Sequence, residues 1–202
     1  MKQAYLVIGP EASGTKLLTA CLIAMGAYGD AGNDQRLDED MTPGHTITHG
    51  GPIVLRRSVP HGSDRLSADR IIWELWKRGF LTFALVTTRE WSANICSQHH
   101  RNTHALSREH AEGNLRAAYF EICSSLKPIR TPFMIVSYEA LIHKRNDTCR
   151  AIAEHAGLVY NENGLPEVRD ENEKWYRETS RDSSVYGQGL GAGEQCGAQD
   201  VV

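Results

Sequence analysis

No apolar run in the 202-residue sequence approaches the roughly 20 residues that a membrane-spanning helix needs. The N-terminus enters a strand-like segment at once, with neither a basic leader nor a small-residue cleavage site, so a cytosolic chain is expected. Charge of one sign is lacking too. The formal net charge is −3, too mild a field to draw nucleic acid, so any anion site must be built locally from Arg, Lys and backbone N–H groups. Cysteine is present without a pattern: Cys21, Cys96, Cys123, Cys149 and Cys196 are odd in number and contain no C-x-x-C pair. That argues against a disulfide framework or a zinc knuckle and for reduced thiols, most of them filling the core. There is no internal repeat, and the length suits one sizeable core rather than two.

What is present is an alternation of short buried strands and amphipathic helices. Residues 4–9, Ala-Tyr-Leu-Val-Ile-Gly, read as a buried parallel strand, followed by a helix over 14–25. Residues 26–51 are rich in Gly, Asp, Asn, Pro and Thr and read as an irregular excursion. The pattern then resumes with strands over 52–58, 80–88 and 132–137 and helices over 65–78, 92–100 and 107–126. In the helix over 65–78 the core stripe is Ala68, Ile71, Ile72, Leu75 and Trp76. A last helix starts near Asp147 as N-cap and stops at Gly157. Strands alternating with helices predict a three-layer α/β/α sandwich with a mainly parallel sheet, of the P-loop NTPase kind. The expected organisation is one domain over 1–179 and, where Gly, Ser and Gln take over, a flexible tail over 180–202. Trp73, Trp76, Trp91 and Trp175 are expected in the core.

The first strand leads through Gly9-Pro10-Glu11-Ala12-Ser13-Gly14-Thr15-Lys16 directly into a helix. Backbone N–H groups of such a loop, with the positive end of the helix dipole behind them, make a cradle for phosphate or sulfate. In the nucleotide-kinase motif G-x-x-x-x-G-K-[ST] the lysine precedes the hydroxyl that holds Mg²⁺, whereas here Thr15 precedes Lys16. No strand ends in the Asp that would complete such a metal site, since two of the others run into Thr88-Arg89-Glu90 and Ser137-Tyr138-Glu139. A metal-dependent nucleotidase or kinase is thereby disfavoured, and no metal ligand set is expected.

Three stretches in order, spanning roughly residues 5–158, resemble the sulfotransferases that use 3′-phosphoadenosine 5′-phosphosulfate (PAPS). Ser13-Gly14-Thr15 is similar to the Ser-Gly-Thr core of their strand-loop-helix; Arg89 at a strand end, with Ser97 eight residues on, is similar to their 3′-phosphate segment. Met134-Ile135-Val136-Ser137-Tyr138-Glu139-Ala140-Leu141, followed by a helix ending in His155-Ala156-Gly157-Leu158, is similar to their strand ending in Tyr-Glu-x-Leu. The resemblance implies that Ala12, Ser13, Gly14, Thr15, Lys16 and Leu17 cradle the phosphosulfate, that Arg89 and Ser97 clasp the 3′-phosphate, and that Tyr138 lies beside the adenine. PAPS, with its product 3′-phosphoadenosine 5′-phosphate (PAP), is then the expected cofactor, and a hydroxyl or amine of a glycan, lipid or small metabolite the acceptor. Where many relatives carry a cation just before the Ser-Gly-Thr core this chain has Ala12, so Lys16 is the candidate to reach back to the phosphosulfate.

Sulfuryl transfer also needs a base for the acceptor proton. His61, in the loop Val59-Pro60-His61-Gly62 after the second strand, is the candidate by its place in the family order, with His49 and His45 as alternatives. Arg56 and Arg57 point to opposite faces of a regular strand, so at most one faces the donor. His99, His100, His104 and His110 lack the spacing of a helical zinc site and are expected to be exposed. Lys174-Trp175-Tyr176-Arg177 falls where relatives close a basic loop over the cofactor, although no Gly follows it. Two other readings of the same cradle stay open: a kinase using ATP and Mg²⁺, and a non-catalytic nucleotide-binding module.

Overall fold

Among the described residues, four apolar runs, each short and richer in Val, Ile and Thr than a helix favours, become four strands of one parallel sheet. A computed structural model describes residues 2–31, 49–59, 67–101 and 107–176, and the chain divides into two units, Met1–Asp170 and Glu171–Val202. In the first unit β1 (Lys2–Pro10) leads to α1 (Thr15–Ala24), β2 (Ile53–Val59) to α2 (Ala68–Lys77), and β3 (Phe80–Thr88) to α3 (Trp91–Arg101) and α4 (Arg108–Leu126). It ends with β4 (Phe133–Ser137), α5 (Tyr138–His143) and α6 (Arg145–Ala156). The sheet order is β2-β1-β3-β4, with β1 parallel to both neighbours, so Pro10 lies beside Val59 and Thr88 beside Ser137. All four strands therefore deliver their C-terminal ends, and the loops that follow, to one edge.

Alternation along each strand supplies two cores. Ala4, Leu6 and Ile8 of β1 face α2 and α4, packing with Ile53, Leu55, Ile71, Leu75, Ala84 and Ile122. Tyr5 and Val7 face the other way, toward α1, α5 and α6, with Leu18, Leu22, Leu85, Leu141 and Ile152. Helices thus cover both faces, and the three-layer α/β/α architecture predicted above is the one observed. Leu85 is fully buried at the centre of the second core. Leu85→Ala should cost about 2 to 5 kcal/mol, and thermal unfolding should fall by roughly 2 to 4 °C for each of them.

Local rules set the helix ends. Ser107 caps α4 by accepting from the His110 amide at 3.2 Å, and Gly157 stops α6 with a left-handed φ of 68°. α6 begins at Arg145 rather than after Asp147, which lies in its first turn, where a carboxylate favours the helix dipole. The tryptophan expectation needs correcting. Trp73, Trp76 and Trp91 are 49%, 63% and 38% exposed. The α2 stripe that meets the sheet is complete with Ala68, Ile71, Ile72 and Leu75, so Trp73 and Trp76 stack on each other outside it, ring centres 5.1 Å apart. Of the cysteines, Cys21, Cys96 and Cys149 are buried and not in disulfides, whereas Cys123 is exposed on α4. In the second unit only residues 171–176 are described, a single turn whose Trp175 and Tyr176 amides donate to the Asn172 carbonyl. Residues 177–202, with Arg177, Cys196 and the expected tail, lie outside the described residues.

Candidate functional site

β1 sends its chain to α1 on one face of the sheet, while β3 sends its chain toward α4 on the other. The gap between the C-terminal ends of β1 and β3 is thus a topological switch point, where open α/β sheets place their ligands. The loop of residues 11–14 follows the end of β1, and Arg89 follows the end of β3.

Residues 11–14 join β1 to α1 in a tight turn. Its close approach to β3 is possible because Gly9 has no side chain: a Cβ there would lie 1.9 Å from Thr87 Oγ1 and 2.5 Å from Ser13 Oγ. The Ser13 hydroxyl points inward, donating to the Pro10 carbonyl at 2.6 Å and meeting Thr87 Oγ1 at 2.6 Å, so this side chain locks the turn and is fully buried. Ala12 has φ 62° and Gly14 φ 92°. The left-handed region costs a non-glycine residue about 1 to 2 kcal/mol, so Ala12 must be held there by its surroundings.

Four carbonyls in and beside the turn are taken by partners within the protein. Pro10 accepts from Ser13, Glu11 from Gln98 Nε2 at 3.2 Å, Ala12 from Arg89 Nη1 at 2.8 Å, and Gly14 from the Leu18 amide at 3.1 Å. The N-cap residue of α1 is Gly14, and among the described residues no side chain caps this start. Its first N–H groups, on Thr15, Lys16 and Leu17, have no intrahelical acceptor and sit at the positive end of the helix dipole. Such a start can take up a tetrahedral anion. Thr15 Oγ1 lies 3.3 Å from Ser58 Oγ at the end of β2, which ties that strand to the cradle, while Lys16 is exposed on the first turn.

Tyr138 follows β4 immediately and packs its ring on the loop. A Cβ on Gly14 would lie 2.7 Å from Tyr138 Cδ2, and the Arg89 guanidinium stands 4.6 Å from the centre of the same ring. Arg89, Tyr138, Ala12 and Gly14 are therefore one assembly, although they come from three separate motifs. Arg89 is 9% exposed. Its backbone is anchored by the Tyr119 hydroxyl, whose pKa burial raises above the ordinary tyrosine value. The Tyr138 hydroxyl donates to the Arg169 carbonyl at 3.4 Å, a long bond, so Tyr138→Phe should change thermal stability by less than about 1 kcal/mol while keeping the ring contact.

The acidic residues at the strand ends cap and cross-link. Glu90 accepts from the Ser92 and Ala93 amides and so starts α3; Glu139 accepts from the Glu90 amide at 2.9 Å and from Ser137 Oγ at 2.7 Å. Ser97 is buried in α3, along with Asn94 and Gln98. The Glu90–Glu139 cross-link and the inward side chains of Thr87, Asn94 and Gln98 were not singled out in the sequence. The signal for the last two was there: polar residues at 94, 97 and 98 form an i, i+3, i+4 stripe on the helix that follows Arg89.

His49 is placed away from this edge. Its ring stacks on Tyr28 at 4.2 Å, its Nδ1 accepts from the Gly51 amide, and Tyr28 pairs with Ile53, the first residue of β2. That is the opposite end of the strand from Val59, about 20 Å at 3.3 Å per residue, so His49 does not serve a reaction at the loop. His61, His45 and His104 lie outside the described residues. His99, His100 and His110 are exposed. Arg56 and Arg57 are both buried, on opposite faces of β2, with Arg56 on the face that Ser58 shares with α1.

No family model and no curated protein matches the chain. Among solved structures it is similar to the sulfotransferase domain from the curacin biosynthetic pathway, with 12% identity and a TM-score of 0.50, over 85% of this chain and 80% of that one. The fold is a sulfotransferase fold. A mouse sulfotransferase complexed with PAP aligns with 12% identity and a TM-score of 0.47, over 91% of this chain and 66% of that chain. Ala12 and Gly14 of the loop, Arg89 and Tyr138 lie against one another at the C-terminal ends of the strands. No described helix is long and apolar enough to cross a membrane.

Proposed function

We propose that the chain is a sulfotransferase that takes PAPS as donor and passes its sulfuryl group to a hydroxyl or amine of a glycan, lipid or small metabolite. The observation that carries this reading is the convergence of the uncapped start of α1, Arg89 and the Tyr138 ring at the switch point between β1 and β3. In this reading the amides of residues 12–17 hold the 5′-phosphosulfate, Arg89 and Ser97 hold the 3′-phosphate, and the Tyr138 side of the crevice receives the adenine. Lys16, exposed on the first turn of α1, supplies the cation that Ala12 lacks. The transferring group carries charge on its equatorial oxygens, so N–H groups and cations around it lower the barrier. His61 is the proposed base that takes the acceptor proton.

A donor and a mere anion are told apart by titration. PAP should bind with saturable heat in calorimetry, and ATP with Mg²⁺ should bind far more weakly, because ATP has no 3′-phosphate. The opposite preference would replace this reading by a kinase. PAP binding without turnover of PAPS on any of a panel of acceptors would leave a non-catalytic nucleotide module, the outcome that Ala12 in place of a cation favours.

A further inference from the structure

The peptide planes on either side of Ala12 are each held by a side chain from across the crevice. Gln98, about two turns into α3, is 2% exposed. Its amide nitrogen has two hydrogens, and both are engaged: one goes to the Glu11 carbonyl at 3.2 Å, the other to Asn94 Oδ1 at 2.8 Å. Asn94 is fully buried and lies one turn earlier on α3, so it fixes the direction in which Gln98 donates. Arg89 Nη1 takes the next carbonyl, that of Ala12, at 2.8 Å.

These two planes, before and after Ala12, determine its φ and ψ. Ala12 sits at φ 62°, where alanine does not go by preference. A donor on each flanking carbonyl supplies what its own conformational preference withholds. We infer that Gln98 is a positioning residue of the phosphate loop, clamping Ala12 together with Arg89 so that the loop carbonyls stay inside and the α1 amides stay open to an anion. A buried glutamine at a site that needed only packing would gain from being apolar, since an amide taken out of water must find partners. Gln98 finds them in the loop and in its own helix.

The identity of the anion rests on the PAPS reading; the clamp itself does not, and the test keeps them apart. Amide hydrogen exchange on the ligand-free chain reads the loop, and PAP titration reads the site. Gln98→Leu should speed exchange at residues 11–18 selectively and weaken PAP binding about five- to tenfold, the effect of one buried hydrogen bond. Adding Ala12→Gly to Gln98→Leu should restore most of the slow exchange and of the affinity, because glycine adopts the left-handed conformation without a clamp. Exchange at residues 11–18 left unchanged in Gln98→Leu would overturn the inference. So would faster exchange spread evenly over the sheet and not recovered by Ala12→Gly, which is what a packing role would give. If the loop responds as expected but the wild-type chain binds no PAP, the clamp stands and the PAPS reading falls.

Discussion

Gly9→Ala is expected to lower the melting temperature by about 2 to 12 °C and to abolish measurable PAP binding. The added Cβ would meet Thr87 Oγ1 at 1.9 Å and Ser13 Oγ at 2.5 Å, and also the Thr87 backbone oxygen at 3.0 Å. None of these is the loose end of a long side chain. Thr87 and Ser13 are fully buried and bonded to each other, and the carbonyl belongs to a strand of the sheet. Overpacking of this kind costs about 1 to 3 kcal/mol, and a domain of this size loses roughly 2 to 4 °C for each. Binding suffers more than stability, because the least costly relief is to push residues 10–13 away from β3, which pulls Ala12 off Arg89 and Glu11 off Gln98. Thr87→Ala in the same chain clears the 1.9 Å contact and leaves the other two, so it should recover only part of the loss. An unchanged melting temperature and affinity in Gly9→Ala would mean that β1 and β3 do not approach as closely as described.

Much of this architecture is legible from local pattern. A buried parallel strand is a short apolar run with no polar face, and β3 occupies residues 80–88, the range its run of apolar and threonine residues marks. Where reading by pattern misses, the cause is a pattern too short or a partner too distant. α5 begins on the residue after β4, and Ser137, the last strand residue, caps it by accepting from the Ala140 amide. Six residues are too few to show a helical period. Trp76 fits the helical stripe of α2 by spacing, yet it is exposed, because Ala68, Ile71, Ile72 and Leu75 already complete the face that meets the sheet.

The site divides in the same way. Gly14, Arg89 and Tyr138 stand in motifs with a recognisable order, and the fold brings them together. Thr87 and Gln98 stand in no motif, and Asn94 lies inside the Arg89–Ser97 segment without a role assigned to it. Their partners lie 74 and 87 positions away in the chain for Thr87 and Gln98, and only strand pairing decides that Thr87 meets Ser13 and that Gln98 meets Glu11. The residue at position 12 shows how a departure becomes intelligible. From the sequence it is a missing cation; in the fold it is a left-handed alanine with a donor on each flanking carbonyl.

Arg89→Ala is expected to weaken PAP binding about ten- to a hundredfold or more, and the comparison with adenosine 5′-phosphosulfate tells which of two roles is lost. One role follows from geometry alone. Arg89 Nη1 donates to the Ala12 carbonyl, and the guanidinium stacks on the Tyr138 ring that covers Gly14. Removing it loosens the cradle for any ligand with a 5′-phosphosulfate or 5′-phosphate. The other role is the proposed one: the planar, permanently charged guanidinium fork meets the 3′-phosphate. A charge-assisted contact is worth about 1.5 to 3 kcal/mol, or roughly ten- to a hundredfold in affinity. Adenosine 5′-phosphosulfate lacks the 3′-phosphate, so it should suffer only the first loss, and PAP both. The ratio of the two losses is then the contribution of the 3′-phosphate contact, free of the change in the loop. Arg89→Lys sharpens the comparison, since a lysine restores the charge but neither the fork nor the flat stack on Tyr138, and it should recover the smaller part of PAP binding. Equal losses for both ligands in Arg89→Ala would make Arg89 a clamp of the phosphate loop alone, and the recognition of a 3′-phosphate would have to come from another residue.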